Sequence, residues 1–200
     1  MGCSNLQPGL ETKRSKEILF RALDAGIQYF DTAPRYRMSE QFLGRFLPLD
    51  DNLVIATKVG LDPIIRDLKR LVPDQLKQAI KGKFKRNLIA GSPSASYGST
   101  EPSCVYEKQA FDRSIYSSMN NLRNRRIDVL LIHEPERLKN LEEVIGWANR
   151  LVSEGKVQSV GLAIHRMIPN FLDRLIFQHN LTWQFPWSQR HVFTEQRSSP

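Results

Sequence analysis

The sequence predicts an α/β fold built on parallel strands, and three observations carry that expectation. Short apolar runs alternate with longer stretches whose apolar residues recur at helical spacing. The connections between them are mostly short, which requires parallel strands joined by helical crossovers. Polar residues able to do chemistry also stand at the ends of three apolar runs, where α/β folds place their sites.

The elements follow in order. ETKRSKEILFRALDAG (11–26) sets Ile18, Leu19, Ala22 and Leu23 on one helical face, with Gly26 where a helix-terminating glycine belongs. IQYFD (27–31) reads as a short strand. MSEQFLGRFLP (38–48) reads as a helix with Ser39 as N-cap and Pro48 just past its end. LVIATK (53–58) is a nearly continuous apolar strand of the kind buried on both faces. FDRSIYSSMNNLRN (111–124) is a helix and IDVLLIH (127–133) a second buried strand. LEEVIGWANRLVSEGK (141–156) is a helix ending at Gly155, and VQSVGLAIH (157–165) a strand. IPNFLDRLIFQHN (168–180) has helical periodicity and LTWQFPW (181–187) is a last strand. GCSNL at the start is a sixth strand candidate. The break in the alternation is 61–110, whose later part, NLIAGSPSASYGSTEPSC, reads as a long loop of functional or disordered type.

Composition limits the classes open to the chain. Its 200 residues suffice for one domain with a substantial core. Hydrophobic residues at 40% and charged residues at 25% are those of a soluble globular protein. No apolar run reaches the ~20 residues of a membrane helix, and no secretory leader is evident. MGCSNL has the start of an acylation signal, but Leu6 stands where Ser or Thr is wanted. Cys3 and Cys104 form neither a disulfide framework nor a metal-ligand spacing, which fits a reducing cytoplasm. The net charge of +8 concentrates in 64–86 and 122–128 without interleaved aromatic residues. That pattern is a basic surface rather than a nucleic-acid site, and it would attract a phosphorylated cofactor.

Asp31, Lys58 and His133 end successive strands, and parallel strands bring such ends to one face. Tyr36, in the loop after Asp31, can fold over the same mouth. Singly, each has an ordinary reading: Asp31 as a turn former, Lys58 as a solvated lysine, His133 as a capping or core histidine, Tyr36 as surface packing. Together they make a coherent acid. Free tyrosine has a pKa near ~10, and a nearby cation favours the phenolate. Lys58 can supply that charge and Asp31 can hold it by an ion pair. His133 can orient a substrate oxygen, leaving Tyr36 as general acid toward a carbonyl. No side chain can deliver a hydride, so a nicotinamide is implied.

ALDAGIQYFDTAPRYRMSEQFLGRFL, VIATKVG, SIYSSMNNLRNRRIDVLLIHEPE and GKVQSVGLAIH together resemble the aldo-keto reductase superfamily. The resemblance covers most of residues 1–187 in family order. It implies a TIM-type (β/α) barrel, here about six of eight strand–helix units, and reduction of an aldehyde or ketone with NADPH or NADH. The family's tetrad falls on Asp31, Tyr36, Lys58 and His133, with Asp31 also beside the cofactor, and Gln184 matches a glutamine that holds the nicotinamide carboxamide. No metal is implied.

The chain departs from the family pattern in three respects. Ala163 and Ile164 replace a Ser-Asn pair that holds the same carboxamide, with His165 as a substitute candidate. Arg37 replaces a glycine after the tyrosine. The barrel needs ~250 residues, so a C-terminally truncated member is expected, with a partial barrel over 1–187, an insertion at 61–110 and a polar, disordered tail at 188–200. Open barrel edges would favour self-association. The expected partner is a small carbonyl compound, with neither nucleic acid nor membrane. The alternative is a catalytically silent binding module or fragment.

Overall fold

Strand polarity and the pairing register decide where the polar strand ends meet. In the computed structural model, residues 1–6, 8–9, 12–36, 38–60, 105–164 and 181–184 are described. They form helix α1 (Thr12–Asp24), strand β1 (Tyr29–Asp31), helix α2 (Ser39–Phe46), strand β2 (Val54–Val59), helix α3 (Lys108–Asn121), strand β3 (Ile127–His133), a 3₁₀ turn (Pro135–Arg137), helix α4 (Leu141–Ser153), strand β4 (Val157–Ala163) and strand β5 (Thr182–Gln184). The sheet has the order β1-β2-β3-β4-β5, every pair parallel. Neighbours in sequence are neighbours in space, the pattern of part of a (β/α) barrel.

Gly2 forms a parallel bridge to Asp31, with Asp31 N–H donating to Met1 O at 2.8 Å and Cys3 N–H donating to Asp31 O at 2.8 Å. The segment expected as a further strand therefore contributes one bridged residue beside β1.

Three helices enter their strands through the same C-terminal device. In α1, Gly26 N–H donates to Leu23 O and Ile27 N–H to Ala22 O, both at 2.9 Å, with Gly26 at φ +77°. Gly155 at φ +68° repeats this after α4. After α3 two residues, Arg123 and Asn124, are left-handed, both at φ 56°, with Arg123 N–H donating to Asn120 O and Asn124 N–H to Met119 O. These paired bonds satisfy carbonyls that a helix end leaves open.

The sheet separates two apolar sets. Phe30, Ile55, Val59, Leu130, Ile132, Val160 and Leu162 pack with Leu19, Phe42, Leu43, Phe111, Ile115, Val144 and Ile145 from the helices as the main core. Ala56, Val129, Leu131 and Ala163 form a separate small cluster on the opposite face. Side chains alternate along a strand, so Lys58 follows Ala56, and His133 follows Leu131, on that inner face. α2 meets α3 closely at Gly44, where a Cβ would lie 2.3 Å from Asn121 O.

Two sequence expectations change. Ser39 is buried and its hydroxyl bonds to Thr32 Oγ1, while Met38 holds the N-cap position. A hydroxyl inside the β1–α2 junction is satisfied by another hydroxyl there and is unavailable for capping. α3 starts at Lys108 rather than 111, so the 61–110 break overlaps the helix. The rest of that break up to 104, the 168–180 helix, the 188–200 tail, Arg37, Cys104 and His165 lie outside the described residues.

Candidate active site

Strand β2 is held at its end by an ion pair on the inner face. Lys58 is 4% exposed, and its Nζ donates to Asp31 Oδ1 and, at 3.1 Å, to Thr32 O. The register makes this possible. Asp31 aligns with Ala56, so Lys58 extends two residues past β1 and its side chain can reach back across the strand end. An ammonium has three donors, and two are committed here.

Tyr36 closes a turn from Ala33, its N–H donating to Ala33 O at 2.9 Å. Pro34, with its fixed φ, occupies the position of that turn where proline is favoured. The turn brings the Tyr36 ring over the mouth, with Lys58 Nζ 4.8 Å from the ring centroid. The cation lies against the ring's π face, and no hydrogen bond joins it to the phenol oxygen among the described residues.

His133 ends β3 beside Ala163 of β4. Burial chiefly, then the Lys58 charge, pushes its pKa down to about 4, Glu134 opposing and Arg35 adding to the fall. The imidazole is therefore neutral near pH 7, with one nitrogen donating and the other accepting. The chain turns sharply after it. Glu134 is left-handed at φ 48°, donates its N–H to Ala163 O at 2.9 Å, and pairs its carboxylate with Arg137 at 2.7 Å. Opposite, Gly60 at φ +116° approaches the His133 backbone.

Gln184 ends β5 in register with Ala163, and its backbone O accepts from Ile164 N–H at 3.0 Å. Its half-buried carboxamide has no hydrogen-bond partner among the described residues and can both donate and accept, which fits a nicotinamide carboxamide. Ala163 and Ile164 are buried and apolar and offer no side-chain hydrogen bond there.

Lys58 thus contacts both Asp31 and the Tyr36 ring, while His133 and Gln184 occupy later strand ends on the same side of the sheet. Three contributors escaped the sequence reading. Thr32 acts through its carbonyl, which carries no side-chain signal. Glu40, which the sequence does not single out, is buried, accepting from Thr57 Oγ1 at 2.7 Å and from Asn121 Nδ2 at 3.1 Å. Arg35, also not singled out by the sequence, adds to the fall in the His133 pKa.

Cys3, below Asp31, is fully buried, and burial raises its thiol pKa to about 12, so it stays protonated. Among the described residues, no group of three or more His, Cys, Asp or Glu could hold a metal ion. No described helix is long and apolar enough to cross a membrane.

Comparison with known proteins agrees with the fold. The family model described as "Aldo/keto reductase family" matches residues 1–168. D-threo-aldose 1-dehydrogenase of a Pseudomonas species is 30% identical over 195 residues, spanning 88% of this chain and 51% of that protein. An aldo-keto reductase of Bacillus subtilis is 24% identical, over 78% of this chain and 38% of that one. The holo form of an aldo-keto reductase from Bacillus halodurans superposes with a TM-score of 0.64 at 21% identity, over 94% of this chain and 52% of that one. The chain spans about half the length of these relatives or less, and it belongs to the aldo/keto reductase family.

Proposed function

We propose that this chain carries the site of an NAD(P)H-dependent reductase that converts an aldehyde or ketone to an alcohol, with Tyr36 as proton donor. The observation that carries this reading is the inward-facing ion pair of Lys58 with Asp31, set 4.8 Å from the Tyr36 ring centroid. A fixed cation beside a phenol favours the negative charge that develops as the phenol gives up its proton. Asp31 and the Thr32 carbonyl restrain the ammonium. One ammonium donor is left over from these two bonds. Neutral His133 can donate a hydrogen bond to the substrate oxygen and orient it without competing as a second acid. Gln184 would hold the nicotinamide carboxamide. The cofactor, NADPH or NADH, supplies the hydride.

The rest of the reading concerns the chain as a whole. We take 1–187 as one partial barrel interrupted at 61–110, in a reducing cytoplasm, with self-association through open barrel edges. The basic composition leans toward NADPH. Static light scattering checks the association.

The test is NADPH oxidation with a small aldehyde by the wild type and by Tyr36→Phe. A loss of two orders of magnitude or more in kcat, about the contribution of general acid catalysis, supports the reading. Full activity in the variant would sink it. A second reading, a silent binding module, draws on the position of Lys58 against the ring and on apolar Ala163 and Ile164. It would prevail if the folded chain failed to quench NADPH fluorescence on titration.

A further inference from the structure

Tyr36 and Lys58 belong to different elements, and the residues next to them in sequence are bonded to one another. Ser39 N–H donates to Tyr36 O at 3.0 Å, which ties the tyrosine turn to the first residue of α2. Glu40 follows Ser39 in that helix, and Thr57 precedes Lys58 in β2. Glu40 and Thr57 meet in the interior, 2% and 0% exposed, where the Thr57 hydroxyl donates to Glu40 Oε1 at 2.7 Å.

The second carboxylate oxygen is held as well. Asn121 Nδ2, at the end of α3, donates to Glu40 Oε2 at 3.1 Å. Gln41 Nε2 in turn donates to Asn121 Oδ1 at 3.2 Å. That last bond settles which way the Asn121 carboxamide faces, because its oxygen can only accept and its nitrogen only donate. An apolar pair of similar volume would fill this place without the cost of burying a carboxylate. What the bonded pair adds is direction, since a hydrogen bond weakens steeply off its preferred geometry.

We propose that Glu40 is a positioning residue: through Thr57 its carboxylate holds β2 against α2, so that the Lys58 ammonium lies against the Tyr36 ring. Glu40 sits in the helix layer and acts only through its neighbours. The consequence for turnover rests on the reductase reading above; the placement of the ammonium does not.

The contact itself can be measured in the full chain. With isotope-labelled lysine, the Tyr36 ring should displace the NMR signal of the Lys58 ε-methylene, Tyr36→Leu giving the undisplaced position. Thr57→Val keeps the side chain's shape but removes its donor, and should lose most of that ring displacement. Glu40→Ala should do the same, while Thr57→Ser, which retains the hydroxyl, should keep most of it. Should Glu40→Ala fail to fold, Thr57→Val, which leaves the carboxylate bonded to Asn121, decides.

NADPH oxidation with a small aldehyde is followed on the same proteins, well below their melting temperatures. In Thr57→Val, kcat per folded molecule should fall about tenfold or more with KM within about twofold, the mark of a misplaced catalytic group. A merely structural Glu40 would lower the melting temperature and leave ring displacement and kcat untouched, and that result overturns the proposal. If Thr57→Val loses the displacement yet reduces the aldehyde at full rate, this proposal stands and the part given to Lys58 in the reductase reading falls. If the wild type reduces no aldehyde, the reductase reading falls and the ring displacement alone decides this one.

Discussion

Gly60 and His133 touch backbone to backbone: a Cβ on Gly60 would lie 3.1 Å from the His133 carbonyl oxygen and 3.4 Å from its amide nitrogen. Gly60 also has φ +116°, a conformation that L side chains rarely adopt. Gly60→Ala is therefore strained and crowded at once, and should cost about 1–3 kcal/mol of stability. It should also displace His133. Denaturant midpoints give the first effect and the imidazole NMR signals of His133 the second. An unmoved imidazole would mean that the contact does not position the histidine.

Breaking the Lys58–Asp31 pair from one side should be expensive. Lys58→Met leaves a largely buried carboxylate without its ammonium, a loss of about 3 kcal/mol for a buried pair. Adding Asp31→Asn removes the stranded charge and should restore part of the loss. A double-mutant cycle by equilibrium unfolding measures the coupling. Additive single effects would show that the pair contributes little.

The pH dependence of stability carries the signature of His133. Its folded pKa is about 4 against 6.5 for the free group. Between those values the unfolded chain takes up a proton that the folded chain refuses, so this contribution to stability is complete above pH 6.5 and lost as pH falls toward 4. His133→Gln should flatten the stability profile across that window. Denaturation at pH 7 and at pH 4.5 makes the comparison.

Arg123 offers a gain rather than a loss. It holds the left-handed position after α3 that glycine holds after α1 and α4. Arg123→Gly should stabilise the chain by about 0.5–1 kcal/mol, the cost of a side chain in that conformation less the added freedom of the unfolded glycine. A higher unfolding midpoint with unchanged slope confirms it.

The alternation of strands and helices was legible because each strand is continuous apolar sequence and each helix shows its buried stripe. β3 matched its expected bounds of 127–133, since every residue before His133 is buried. Gly26 and Gly155 announced their helix ends for a reason tied to backbone freedom. Arg123 announced nothing, because a non-glycine residue can be forced left-handed by its surroundings. The strand-end positions of Asp31, Lys58 and His133 followed from parity and polarity. Ser39 was misread as a cap and Glu40 went unnoticed, because their hydroxyl and carboxylate are satisfied by Thr32, Thr57 and Asn121, and such partners are known only once the elements have packed.

Thr57 and Lys58 are consecutive, and each is anchored to a different layer. Thr57 donates to the buried carboxylate of Glu40 on the helix side, while Lys58 donates to Asp31 on the inner side. Sliding β2 by one residue would exchange these faces, putting a neutral hydroxyl opposite Asp31 and carrying the ammonium among the helices. Both bonds would be lost together. The two adjacent residues act as a key cut on both edges, so that β2 fits its place in the sheet in one alignment, and in that alignment the ammonium lies against the Tyr36 ring.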